Sequence, residues 1–170
     1  MNATVFSDSH GRVGYINEMM TRVLALGEAP RQILFLGDGV ADLSRTSSLD
    51  GQSVLAVRGN CDLFADDEPE IRVVGLGHAR ALMMHGHTMG VKYGLSQAVA
   101  LAVREKVDLL LYGHTHQPFE KYLEAGERFE GIAVEKPLCI FCPGALKDGS
   151  FGNVSVTADG ILVSHGNLFD

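Results

Sequence analysis

The sequence predicts an α/β protein in which two β-sheets pack face to face and helices cover the outside. Three observations predict it. Apolar runs of buried-strand length alternate with stretches of helical periodicity up to about residue 112. A series of β-type segments follows, the order expected when a second sheet completes the core. Nearly all the stretches carrying cation-binding residue types place them directly after an apolar run, where parallel strands bring distant residues to one sheet edge.

The elements follow in order. The first strand ends at Val5-Phe6. Val13 to Leu26 carries apolar residues at helical spacing and stops at Gly27 and Pro30, so it reads as a helix. Gln32 to Leu36 is the second strand, Val40 to Leu49 a short helix or turn, and Ser53 to Val57 the third strand. The run Asp66-Asp67-Glu68-Pro69-Glu70 reads as a solvated loop. Ile71 to Val74 and Ala79 to Met84, parted by Gly75-Leu76-Gly77-His78, read as a hairpin. Leu95 to Glu105 has Ala, Val and Leu on one side and reads as a helix, and Asp108 to Tyr112 is the next strand. Gly131 to Val134, Leu138 to Phe141, Val154 to Thr157 and Ile161 to Ser164 are the trailing strands, expected to supply the second sheet.

At 170 residues and 46% hydrophobic, the chain is long enough for one domain, residues 1–170, with its own core. No compositional break marks a linker, and the 20 glycines punctuate turns rather than forming a repeat. A net charge of −7 argues against a basic face that grips nucleic-acid backbone. Phosphate can still be held if bound metal ions bring the positive charge. No signal-like or membrane-spanning stretch is present, so a cytoplasmic protein without membrane attachment is expected. Three cysteines do not make a disulfide scaffold. The pair Cys139 and Cys142 lies in a strand-like run and reads as buried structural thiols.

The chemistry concentrates at the strand ends. Asp8-x-His10 and His114-x-His116 each place two donors two residues apart, a spacing that sends both side chains to one side if the segment is extended. Asp38 offers a carboxylate able to bridge two ions, and Asn60 a neutral amide oxygen. Gly11, Gly37, Gly59, Gly86 and Gly113 stand beside these donors, where the backbone must turn or approach closely. Isolated histidines such as His78 and His165 read as ordinary surface or hydrogen-bonded residues, and His87 as a neighbour or substrate contact. Imidazole, carboxylate and amide without clustered thiolate suit Mn, Fe, Zn or Ni rather than a Cys-rich structural zinc. With His85, at the exit of the Ala79 to Met84 arm, the seven donors exceed the needs of one tetrahedral ion and suit two ions sharing Asp38.

Asp8-Ser9-His10-Gly11, Gly37-Asp38-Gly39, Gly59-Asn60-Cys61-Asp62, His85-Gly86-His87 and Gly113-His114-Thr115-His116 resemble, in order and spacing, the five motifs of the calcineurin-like metallophosphoesterases. The compact length resembles the small YfcE-like phosphodiesterase branch. The resemblance implies a four-layer αββα fold. It also implies a binuclear centre in which Asp8, His10 and His116 hold one divalent ion, Asn60, His85 and His114 a second, and Asp38 bridges them. In His85-Gly86-His87 either imidazole is available, and His85 is taken because it directly follows the strand. Manganese is the expected metal, with Ni, Fe or Zn also suited.

The resemblance implies hydrolysis of phosphodiesters, or activated phosphoesters, by a hydroxide bridging the two metals, with Asp38, Asn60 and His85 at the catalytic centre. Small phosphoesters or nucleotides are the implied substrates, and a homo-oligomer is compatible. Two departures stand out: Cys61 occupies a position where many relatives carry His, and Cys142-Pro143-Gly144-Ala145 replaces a late Asn-Pro-Gly-Ser. Asp62 reads equally as a partner that orients the loop or as a turn residue, and Arg12 and Arg58 as phosphate contacts or solvated arginines. A non-catalytic scaffold that keeps this fold, like the retromer subunit, is the alternative. Hydrolases built on an eight-stranded α/β barrel also use H-x-H pairs, but their chains run to about 250 residues.

Overall fold

A computed structural model describes residues 1–27 and 29–170. The strands are β1 (Asn2–Phe6), β2 (Gln32–Phe35), β3 (Val54–Ala56), β4 (Ile71–Leu76), β5 (Ala79–Met84), β6 (Leu109–Tyr112), β7 (Pro118–Leu123), β8 (Arg128–Phe129), β9 (Ile132–Ala133), β10 (Leu138–Pro143), β11 (Ser150–Thr157) and β12 (Gly160–Asn167). The α-helices are α1 (Val13–Ala25), α2 (Val40–Leu43) and α3 (Ser96–Arg104), with short 3-10 turns at Ser47–Leu49, His87–Met89 and Leu146–Asp148.

One sheet runs β12-β11-β1-β2-β3 and the other β4-β5-β6-β10-β7. Within them β1, β2 and β3 are parallel, as are β5, β6 and β10, and the outer strands are antiparallel. Both sheets are mixed, which matches the αββα sandwich.

The layers follow from strand periodicity, since successive side chains point to opposite faces. Leu34 of β2, Leu36 just beyond its end, Met83, Leu109, Leu111 and Phe141 fill the space between the sheets. Their neighbours Ile33 and Phe35 turn outward onto Ile16, Met19, Met20 and Val23 of α1, while Leu82, Leu110 and Ile140 turn outward onto Ala98, Val99 and Ala102 of α3. The i, i+3, i+4, i+7 spacing of Ile16, Met19, Met20 and Val23 gives α1 one apolar stripe for its sheet. Strands buried on both faces therefore read as the unbroken apolar runs seen in the sequence.

The Val40 to Leu49 segment is a short helix, Val40–Leu43, followed by a 3-10 turn at Ser47–Leu49, as expected. One expectation is corrected, and one strand has no signal in the sequence. The trailing strands do not form the second sheet together. β10 enters it, β11 and β12 extend the first sheet from β1, and β9 pairs only with β8 in a separate hairpin. β7 was not visible in the sequence. It is an edge strand that exposes Pro118, Glu120, Lys121 and Tyr122, so it lacks a two-sided apolar run.

Candidate metal centre

The parallel strands of both sheets deliver their carboxyl-terminal loops to one edge. Asp8 and His10 follow β1, Asp38 follows β2, Asn60 follows β3, His85 directly follows β5, and His114 and His116 follow β6. Convergence draws on two sheets rather than one.

Asp8 and His10 share one donor group, as their two-residue spacing leads one to expect, whereas His114 and His116 part into different groups. These segments are not extended: Asp8 (φ 56°), His10 (43°), Asp38 (60°), His114 (67°) and His116 (60°) are left-handed, five of the seven non-glycine residues with positive φ among the described residues. Asp and His tolerate this region better than most residues, but it is held only where the surroundings over-determine it, typically at functional sites.

The restraints are explicit. Asp62 accepts four backbone N–H groups: Asp38 (2.7 Å) and Gly59 (2.8 Å) on Oδ2, Gly39 and Val40 (2.8 Å each) on Oδ1. It thus orients the Asp38 loop and is more than a turn residue. Asp42, which the sequence reading passed over, does the same for the first loop, accepting Ser9 Oγ–H (2.6 Å) and Gly11 N–H (2.8 Å). Ser7, also passed over, donates to Asp8 Oδ2 at 2.5 Å, and His114 N–H donates to the same oxygen at 3.1 Å. Sequence spacing gives no sign of Asp42, whose bonds cross more than 30 residues. Close approach fixes two glycines. A Cβ on Gly59 would collide with the Asp38 carboxylate and stand 2.7 Å from its backbone nitrogen, and one on Gly113 would collide with Ser7 Oγ.

The donors form overlapping groups whose ligand atoms lie within 4.8 Å of one another: Asp8, His10 and His116; Asp38, His85 and His114; and His10, Asp38 and Cys61. His116 Nε2 is 3.0 Å and His10 Nε2 3.6 Å from Asp8 Oδ1. A single oxygen, Asp38 Oδ2, lies 3.3 Å from His85 Nε2 and 3.9 Å from His10 Nε2, so Asp38 stands between the first two groups. Buried His85 must donate Nδ1–H to the Leu36 carbonyl (2.8 Å), since a carbonyl only accepts. That bond fixes the ring and aims Nε2 at Asp38, and at His114 Nδ1, 3.1 Å away.

His87 sits on the 3-10 turn, its ring centroid 5.4 Å from that of His85 and its buried Nδ1 without a hydrogen-bond partner among the described residues; it joins none of the three groups. Asn60 is exposed, and its amide nitrogen donates toward Cys61 Sγ at 3.4 Å. Arg58 pairs with Asp66 (2.9 Å) and Glu70 (3.5 Å) of the acidic run. Arg12 lies over the Tyr15 ring, 5.8 Å from its centroid.

The electrostatics suit cations. Asp8 and Asp38 are both buried, and among the described residues no Lys or Arg pairs with either. Buried carboxylates that no fixed cation neutralises are costly even when hydrogen-bonded, so both favour a bound cation. Burial works against the Asp38 charge, but the hydrogen bonds from His85 and from Cys61 N–H (2.7 Å) outweigh it and hold its pKa below the usual carboxylate range. Burial likewise opposes charge on His85, yet Asp38 and Asp8 raise its pKa. Its neighbour His114 is pushed down to about 4, by burial first and then by the charges of His85 and Lys92. Donors on one ion at ordinary bond lengths sit about 3 Å apart, which matches the spacing of this cluster. The residues fit divalent metal ions.

Comparison with known proteins agrees with this geometry. The calcineurin-like phosphoesterase superfamily domain matches residues 1–159. The probable metallophosphoesterase YsnB of Bacillus subtilis (strain 168) is 26% identical over 164 residues, 96% of this chain and 89% of that protein. A conserved uncharacterized protein of Streptococcus pneumoniae TIGR4, described as a predicted phosphoesterase, superposes with a TM-score of 0.74 at 21% identity, over 99% of this chain and 90% of that one. A novel archaeal phosphodiesterase gives 0.68 at 16% identity (98% and 100% covered), and Vps29 of Chaetomium thermophilum 0.67 at 19% (98% and 95%). With the domain match spanning nearly the whole chain and His and Asp side chains clustered at the shared sheet edge, this protein belongs to the calcineurin-like phosphoesterase superfamily.

Proposed function

We propose that the protein is a phosphodiesterase that works with two divalent metal ions, manganese being the expected one. The observation that carries this reading is the place of Asp38, whose Oδ2 faces His10 on one side and His85 on the other. Asp8, His10 and His116 would hold one ion, His85 and His114 a second with Asn60, and Asp38 both. Bound there, the ions would activate water near neutral pH and neutralise phosphate charge.

The protein's own part is positional. Asp62 and Asp42 fix the two loops, the Leu36 carbonyl fixes the tautomer and tilt of His85, and Ser7 and His114 N–H hold the Asp8 carboxylate. Rigid placement of this kind lets charge stabilisation act without reorganisation. The rim is open, with about a third of the His10 and His116 side chains exposed, and only α3 and its flanking turns separate β5 from β6. An open groove admits the second ester group of a diester, and the archaeal phosphodiesterase with the same fold supports that substrate class. Nucleotide diesters are suitable candidates.

The test is hydrolysis of bis(p-nitrophenyl) phosphate across a metal series. Asp38→Asn is expected to lose roughly a hundredfold or more in turnover. Cys61→Ala with Mn²⁺ should stay within about twofold, because an activated aryl leaving group needs little protonation. Parent-like turnover in Asp38→Asn would overturn the proposal. The Vps29 neighbours favour one rival, a scaffold that keeps the fold without the reaction; stoichiometric metal with no turnover on any phosphoester would select it.

A further inference from the structure

The segment between the 3-10 turn at His87–Met89 and α3 is pinned at three points. Val91 is buried and presses so closely on Gly86 that a Cβ there would stand 2.7 Å from its methyl carbon, and its N–H donates to the Gly86 carbonyl at 3.3 Å. Tyr93 N–H donates to the Gly90 carbonyl at 2.8 Å, and Leu95 N–H to Glu130 Oε2 at 2.6 Å. Between these anchors Lys92 is exposed. Its charge is one of those that lower the pKa of His114, so the ammonium stands within electrostatic reach of the His114 side of the centre. Arg58 pairs with Asp66 and Glu70, Lys147 approaches Asp148 at 3.9 Å and Arg12 lies over the Tyr15 ring, whereas among the described residues Lys92 has no carboxylate partner.

We infer that Lys92 is a specificity residue that takes a second phosphate of the substrate, beyond the scissile diester, so that the favoured substrates are nucleotide diesters carrying a further phosphate. The inference deepens the proposed function and rests on its pair of metal ions. Charge decides where the ammonium acts. Two divalent ions outweigh the Asp8 and Asp38 carboxylates together with the single negative charge of a diester, so the scissile phosphate is neutralised without Lys92. A phosphate lying beyond the ions instead meets the field of a chain with net charge −7 and needs a cation of its own. Lysine suits that task, because its ammonium is a point charge on a flexible stem and can follow a phosphate whose position varies, while the pinned backbone keeps its root beside the site.

Thymidine 5′-(p-nitrophenyl phosphate), with and without a 3′-phosphate, is a matched pair that differs only in the second phosphate. With Mn²⁺-loaded parent protein the 3′-phosphorylated ester is expected to give a kcat/KM roughly fivefold higher, carried by KM rather than kcat. Lys92→Gln should remove the preference, Lys92→Arg should keep it and Lys92→Glu should invert it. Salt at about 1 M should erase it in the parent. Calorimetric binding of thymidine 3′,5′-bisphosphate against thymidine 5′-phosphate reads the same preference without turnover. Equal handling of the two esters by the parent, or a preference that Lys92→Gln and Lys92→Glu leave intact, would overturn the inference and leave the two-metal reading standing. A Lys92-dependent preference in binding with no turnover of either ester would uphold the subsite and overturn the phosphodiesterase reading. No turnover and no preference in binding would overturn both.

Discussion

Replacing Asp62 by Asn tests whether the metal loops are held as described. The carboxylate accepts two backbone N–H groups on each oxygen, from Gly39 and Val40 on one and from Asp38 and Gly59 on the other. An amide keeps one accepting oxygen and turns its NH2 toward two N–H donors, so two of the four bonds become repulsive contacts. Hydrogen bonds to a charged group contribute about 1.5–3 kcal/mol each, and water can take over part of the load at this half-buried position, so a net loss of about 3 kcal/mol is expected. For a chain of this size that lowers Tm by about 6–12 °C. Because Asp38 would also lose the restraint on its left-handed backbone, Mn²⁺ affinity should fall roughly tenfold or more. Thermal unfolding by circular dichroism and metal titration measure the two effects. A variant with Tm within about 2 °C of the parent and unchanged Mn²⁺ affinity would refute the role given to Asp62.

Two further predictions concern the same site. Gly59→Ala would place a Cβ against the Asp38 carboxylate and 2.7 Å from its backbone nitrogen, so metal affinity is expected to drop by about 10–100-fold while the far-ultraviolet spectrum is kept; isothermal titration checks it. In metal-free protein His114 is held near pKa 4 by burial and by the charges of His85 and Lys92, whereas His85 is shifted upward. A lowered imidazole pKa means the unfolded chain binds more protons between about pH 4 and 6.5, so this group's contribution to stability is full above that window and lost as pH falls through it. Imidazole nitrogen shifts at pH 5 should show His114 neutral and His85 protonated. Titration of His114 near 6.5 would contradict the geometry.

How much was legible follows from locality. The apolar runs ending in Asp8, Asp38, Asn60, His85 and His114 marked both the strands and the edge where they meet, because strand ends and donors are adjacent in the chain. What escaped depends on contacts made far along the sequence. Asp42 carries no motif, and its place emerges only when β1 and β2 pair and set its carboxylate under Ser9 and Gly11. β11 and β12 look like any trailing hairpin, and nothing local tells that β1 will accept β11 on its free side. Extended geometry for Asp8-x-His10 was a default of the two-residue spacing, and the left-handed turns that replace it are imposed by the Gly37 and Asp38 carbonyls, which accept the Asp8 and His10 N–H groups. Cys61 could be flagged as a departure, but only the fold brings its sulfur close to His10 and Asp38.

Two cations sharing the Asp38 carboxylate is the claim beneath all of this. Anomalous scattering from crystals grown with Mn²⁺ tests it most directly. Two peaks are predicted, about 3.5–4 Å apart, one beside His10 and the other beside His85, with Asp38 touching both. One peak, or peaks remote from Asp38, would contradict it.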